Sequence, residues 1–223
     1  MSTPIYPCLC VPSSGLVKAR FATSLANLVG TFVGTPWQGY IKKGIKIIMM
    51  EGSMIADNRE KLGHAMLAVP EATHALFLDD DMVFPGDLLF QLLQHDLPIV
   101  GCNYPFRTAH RGFTAGTLYG DPMVTSAKST GLEPAAWVGF GAVLIHRRVF
   151  EIIDPPWFSP RWNPDHGGYG TEDVAFCAKA QAAGFSIYVD HDASKTVAHL
   201  GSYEYRWDDP IIQPAEIESP RDS

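Results

Sequence analysis

The sequence predicts an α/β protein in a single domain, with a mostly parallel sheet and helices on its faces. Three observations predict it. Short apolar runs of strand length alternate with stretches of helical spacing, giving successive β–helix–β steps. The 223 residues are 46% hydrophobic and 18% charged, a globular balance with ample material for a core. One apolar run, residues 75–78, stops at three consecutive carboxylates, Asp79, Asp80 and Asp81. Ligands of open α/β sheets collect at such strand ends.

Each element has its own local reason. "IYPCLCV" (5–11) is short and apolar and is closed by Pro12-Ser13-Ser14-Gly15, and "FATSLANLV" (21–29) has helical spacing. "IKIIMM" (45–50) reads as a second strand, broken by Gly52-Ser53. Residues 54–69 place Ile55, Leu62, Met66 and Val69 near helical spacing, stopped by Pro70. "HALFL" is the third strand, and "PGDLLFQLLQHD" a helix with Pro85 and Asp87 in its first turn. "LPIVGCNY" (97–104) is the fourth strand. Residues 106–136 are turn-rich, and 137–153 read as a loop, a strand and a short helix. After the proline- and aromatic-rich stretch 154–170, residues 171–184 form a helix with Thr171 as N-cap and Gly184 at its end. "FSIYVD" is the last core strand, "TVAHLG" a short one, and from Arg206 the chain reads as a polar tail.

Bulk properties exclude some functions. A net charge of −7 gives no overall basic footprint for nucleic acid. Cys8, Cys10, Cys102 and Cys177 form no CxxC pair or zinc-like cluster and read as free thiols. The N-terminus lacks the charged and apolar regions of a signal peptide, and no run reaches membrane-span length, so a cytoplasmic protein is expected.

Three carboxylates at a strand end repel one another and call for a positive partner. A divalent cation, Mg²⁺ or Mn²⁺, would serve, since such ions bridge carboxylates to substrate phosphates; a solvated acidic turn is the plain alternative. There is no GxxxxGK[ST] loop, which excludes a Walker-type nucleotidase. "FLDDDMVF" also fits the hydrophobic-DxDx[TV] pattern of haloacid-dehalogenase-like phosphatases, with Asp79 as nucleophile, although two β–helix units precede it here.

Taken in order, the segments resemble the nucleotide-sugar-dependent glycosyltransferases of the GT-A (Rossmann-like) fold, especially small family 2-like enzymes common in phage and bacterial genomes. The resemblance spans about residues 3 to 205, with a nucleotide-binding half (1–105), an acceptor half (106–205) and a tail (206–223). "CVPSSGLVKARFATSLANL" is similar to the first strand and nucleotide-cradling loop, and implies that Pro12 and Ser13 face the nucleotide. "GSMIADNREKLGHAML" is similar to the family helix with an Ala-Arg-Asn-x-Leu core, Arg59 matching the Arg and Glu60 standing where Asn is usual. "HALFLDDDMVFPGDLLFQLLQHDLPIVGCNYPFR" resembles the DxD segment, and "WVGFGAVLIHRRVFE" the acceptor-side loop. "GTEDVAFCAKAQAAGFSIYVDHD" resembles the Glu-Asp helix, and "TVAHLG" the closing histidine segment.

The resemblance implies a metal-dependent transferase that moves a sugar from a nucleotide-diphosphate donor, a UDP-sugar first, to an acceptor hydroxyl. Asp79 would lie nearer the nucleotide ribose or metal water and belong to the metal site, Asp81 would be the direct metal ligand and His199 a further one, and Asp80 would border the nucleotide or be structural. Asp173, with Glu172 beside it, would take the acceptor's proton, although two acids in a first helical turn also simply complement the helix dipole. Gly139 and Gly141 would let the backbone approach the donor sugar, or simply make a turn. Trp137, Trp157, Trp162 and Tyr169 are stacking candidates or core residues, and Arg107, His110 and Arg111 candidate contacts to the diphosphate or an anionic acceptor. The acceptor stays open among a saccharide, a protein and a hydroxymethylated DNA base. A dehalogenase-type phosphatase and a non-catalytic glycosyltransferase-like binding protein are the alternatives.

Overall fold

The computed structural model describes residues 3–38, 40–107, 112–164, 167–201 and 204–208. β1 (Thr3–Ile5) and β2 (Pro7–Ser13) open the chain, and β2 is buried along its whole length. α1 (Ala19–Gly34) buries Phe21, Ser24, Leu28 and Phe32, a stripe with helical spacing. β3 (Tyr40–Lys42) and β4 (Lys46–Glu51) return parallel to β1 and β2. α2 (Ile55–Leu67) turns Leu62 and Met66 to the core, and β5 (His74–Leu78) is buried at every residue. β6 (Met82–Val83) and a short α3 (Leu88–Leu93) lead to β7 (Ile99–Gly101). β8 (Gly116–Thr117), β9 (Leu132–Trp137) and β10 (Ala142–His146) follow, the last running into α4 (Arg147–Ile152). A small hairpin, β11 (Trp162–Asn163) and β12 (Gly168–Tyr169), precedes α5 (Glu172–Ala182). β13 (Ile187–Asp190), α6 (His191–Ser194), β14 (Ala198–Leu200) and β15 (Glu204–Tyr205) complete the described chain.

The fold is the α/β architecture that the alternation predicts. The main sheet has eight strands in the order β4-β2-β5-β10-β7-β13-β9-β8, and all but β10 and β9 run in one direction. Its two faces carry separate cores. Cys8, Cys10 and Phe77 point to one face, under Leu62 and Met66 of α2, Phe150 of α4 and Phe176 of α5. Leu9, Val11, Leu76 and Leu78 point to the other, under Phe21 and Leu28 of α1 and Leu89 and Leu92 of α3. Burial on both faces is why these strands read as unbroken apolar runs and not as alternation. All four cysteines are buried and free. Among the described residues no helix is long and apolar enough to cross a membrane.

Three local expectations are refined. The third β–helix–β step does not put β7 beside β5; β10 enters between them, antiparallel to both. The turn-rich region ends in a strand, β9, whose Pro134 lacks the N–H that a strand reading requires. Thr171 holds the N-cap position with an extended backbone, yet its hydroxyl donates to Asp173 Oδ1 and makes no cap bond. His110, Arg111 and the chain beyond Asp208 lie outside the described residues.

Candidate active site

The parallel strands end on one side of the sheet, and a cleft of about 570 Å³ opens there. Pro12 and Ser13 come from the end of β2, Asp79–Asp81 from the turn after β5, and Tyr104, Phe106 and Arg107 from the segment after β7. Asn58 and Arg59 reach in from α2, and Thr171, Glu172 and Asp173 from the start of α5. His199 arrives by sheet pairing: β14 lies antiparallel to β6, with His199 opposite Met82, and Leu200 N–H donates to the Asp81 carbonyl at 2.7 Å. Residues 186 positions apart, Ser13 at the end of β2 and His199 in the middle of β14, thus line one cleft.

Each of the three aspartates has its own partner. Asp79 accepts from the Arg59 guanidinium with both oxygens, at 2.8 and 3.1 Å. Asp80 accepts from the Ser13 hydroxyl at 2.7 Å, and Ser13 Oγ in turn accepts from Gly15 N–H at 3.1 Å. Asp81 Oδ2 pairs with Arg107 at 2.5 Å, and its Oδ1 faces His199 Nε2 at 3.4 Å. Burial alone would raise the pKa of Asp81. The hydrogen bond and charge of His199, with Arg107 and Lys18, outweigh burial and hold it below the usual carboxylate value.

Arg59 is the electrostatic centre of the cleft floor. Its side chain is 4% exposed, one amino group holds Asp79, the other holds Glu172, and the guanidinium lies 5.3 Å from the Phe140 ring centroid. Burial works against its charge, but Asp79, Glu172 and Asp173 more than offset that and raise its pKa. The neighbouring Glu60 faces elsewhere: its carboxylate accepts from the backbone N–H groups of Trp157 and Phe158 at 2.8 and 3.0 Å. Asp173 accepts from Val174 N–H at 2.8 Å as well as from Thr171, and makes no ion pair with Arg59.

The pair Asp81–His199 fits a divalent ion. Nδ1 of His199 is 3.1 Å from the Pro105 carbonyl, which can only accept, so that nitrogen carries the hydrogen. Nε2 faces Asp81 Oδ1 with a proton between them when the ring is charged, and when that proton is lost its lone pair stands beside a buried carboxylate oxygen, as two ligands of one ion would. A ligating imidazole commonly has this arrangement, its other N–H given to a carbonyl. Two ligands about 2.1 Å from one ion in adjacent octahedral positions stand about 3 Å apart, close to the 3.4 Å found. Asp79 is not part of this set, being committed to Arg59. Among the described residues no group of three or more His, Cys, Asp or Glu converges on one point. An ion here would therefore complete its sphere from water and substrate oxygens.

Some expected contacts lie elsewhere. Gly139 and Gly141 are not in the cleft lining: a Cβ on Gly139 would meet Thr114 Cβ at 2.8 Å, and one on Gly141 would meet Tyr104 Cζ at 2.7 Å. Gly141 N–H donates to the Tyr104 hydroxyl at 2.7 Å, and its carbonyl accepts from Asp79 N–H at 3.2 Å, so this glycine holds the Tyr104 side chain and the Asp79 backbone from behind. Trp157 is buried against Gly63, and Trp137 packs over Gly116. Trp162 and Tyr169 pair edge to face on their hairpin, 56% and 73% exposed, outside the cleft lining. The aromatic lining comes instead from Tyr104, Phe106 and Phe140, and Lys18, Asn58 and Thr114 are among the other residues that line the cleft. Only Lys18 had a sequence signal, its place beside the Gly15 turn at the end of the first strand.

No family model matches the chain, and no curated protein matches it in sequence. Among solved structures, the catalytic domain of Drosophila β1,4-galactosyltransferase 7 in complex with xylobiose superposes with a TM-score of 0.49 at 15% identity, over 88% of this chain and 71% of that one. The crystal structure of A197 from STIV superposes with a TM-score of 0.61 at 17% identity, over 96% of this chain and 99% of that one. The chain therefore shares the fold of A197 from STIV over nearly the full length of both.

Proposed function

We propose that the protein is a metal-dependent glycosyltransferase that moves a sugar from a nucleotide-diphosphate donor, a UDP-sugar first, to an acceptor hydroxyl on a saccharide, a protein or a hydroxymethylated DNA base. The observation that carries this reading is the lone-pair face shared by Asp81 and His199, set in one cleft with the Glu172–Asp173 pair. A Mn²⁺ or Mg²⁺ ion held by Asp81 and His199 would neutralise the charge developing on the diphosphate leaving group. The chain's own residues do the rest. Pro12, Ser13 and Asp80 line the nucleotide end, where the Ser13–Asp80 hydrogen bond fixes the loop. Arg59 holds Asp79 and Glu172 in place, which leaves Asp173 to accept the acceptor's proton. In the transfer, the bond from the sugar's anomeric carbon to the diphosphate oxygen breaks, the bond to the acceptor oxygen forms, and the proton passes to Asp173. A dehalogenase-type phosphatase would need Asp79 as a free nucleophile, and its double hold by Arg59 disfavours that.

Thermal melting with a panel of nucleoside diphosphates and nucleotide sugars, with and without Mn²⁺, tests the proposal. A ligand bound only by the folded state raises the melting temperature, by about 2.7 kcal/mol of stabilisation at a hundredfold excess over Kd. One nucleotide should stabilise strongly, and only with metal. Absence of any shift at millimolar ligand would overturn the reading.

A further inference from the structure

The cation closest to the candidate metal oxygens is the protein's own. Arg107 pairs with Asp81 Oδ2 at 2.5 Å, while the other oxygen of the same carboxylate faces His199. The Arg107 side chain is 46% exposed and lines both the main cleft and an adjoining cavity of about 480 Å³ that also borders Phe106, His199 and Gly201. It therefore has open space to turn into. Lys18 lies on the same side, its ammonium donating to the Leu200 carbonyl and its charge acting on Asp81.

The charges around Asp81 have a consequence for binding order. A bare divalent ion would enter beside two positive side chains with one carboxylate to share, and would set a dication against the Arg107 guanidinium. A nucleoside diphosphate changes the balance, because its phosphate oxygens give both the ion and the displaced guanidinium an anionic partner. Resting on the metal-dependent reading above, we infer that Arg107 is an internal competitor for the ion at Asp81. It makes the site select the metal–diphosphate complex over the bare ion. On binding, the Asp81–Arg107 pair opens, Asp81 turns to the ion and Arg107 turns to the diphosphate. Arg107 is thus a specificity-determining residue, acting on the form in which the substrate is accepted.

The test is Mn²⁺ binding, followed by the electron paramagnetic resonance signal of the free ion, with and without UDP. Wild-type protein should bind Mn²⁺ weakly alone and at least tenfold more tightly with UDP. Arg107→Ala should bind Mn²⁺ alone about tenfold more tightly than wild type, and UDP should add less. Adding Asp81→Asn to that variant should remove the gain, and the melting temperature checks that each variant is folded. If Arg107→Ala binds bare Mn²⁺ no better than a wild type that does bind it, the competition is overturned while the metal reading stands. If no form binds Mn²⁺ even with UDP, both fall.

Discussion

Asp79, Asp80 and Asp81 stand next to one another and yet face three environments: a buried guanidinium, a hydroxyl, and the His199–Arg107 flank. The same division separates the two acids at the start of α5. Glu172 is spent on Arg59, and Asp173 is held only by a hydroxyl and a backbone N–H. Substitution should therefore separate them. Asp173→Asn should lower donor turnover, read as hydrolysis of the nucleotide sugar to free sugar and nucleoside diphosphate, by about 10²–10⁴-fold, the usual worth of a positioned general base. Its nucleotide affinity and melting temperature should stay near wild type. Glu172→Gln should instead weaken a pair with the buried Arg59, and cost about 3 kcal/mol in a urea titration. Equal turnover losses with unchanged stability in both variants would contradict the division.

At the scale of elements, β5 carries the site at one end and a histidine pair at the other. His74 opens β5 opposite His146 of β10, with the rings 4.8 Å apart and nearly perpendicular. Burial, then the charge of His146, lowers the pKa of His74 to about 3, and burial lowers that of His146 as well. An unfolded histidine titrates near 6.5, so the unfolded chain binds the proton first. The stability His74 contributes is full above about pH 6.5 and is lost as pH falls from there toward 3. Its share of the slope reaches about 1.4 kcal/mol per pH unit. Urea midpoints measured between pH 7 and 4 should fall accordingly, and His74→Leu should flatten the fall; parallel curves for the two proteins would rule the pair out as its source.

Elements of this kind show what the sequence can and cannot convey. β5 was legible because an apolar run that stops at charges is a local signal, and strand ends pointed to Pro12, Ser13 and Asp79–Asp81, which share the cleft, but not to Asn58, Thr114 or Phe140. β9 was not, since Pro134 and two small alanines hide a strand that pairing alone sustains. The partners of the aspartates were not legible either: Arg59 lies 20 residues from Asp79 and 113 from Glu172, distances that only the fold closes. Lone aromatic residues left two readings open for a related reason, because ring chemistry is the same in a core as in a cleft, and Trp157 is in the core.

In the whole molecule, the order β5-β10-β7 joins the two halves of the chain. Every strand pair that closes the gap between β5 and β7 is made with β10, residues 142–146. A chain ending at residue 105 carries three β–helix–β steps and still leaves β5 and β7 without their common neighbour. Such a fragment should show no cooperative melting transition and no near-ultraviolet dichroism, and should be cut rapidly by protease; a sharp transition would show that the first half folds by itself. The middle strand also sets a clock on synthesis. From the end of β7 at Gly101 to the end of β10 at His146 the ribosome adds 45 residues, which at about 5–20 residues per second takes roughly 2–9 s. For those seconds one edge of β5 and both edges of β7 wait for β10 and β13, and pairing of such edges with another chain competes with folding before the finished protein's stability comes into play.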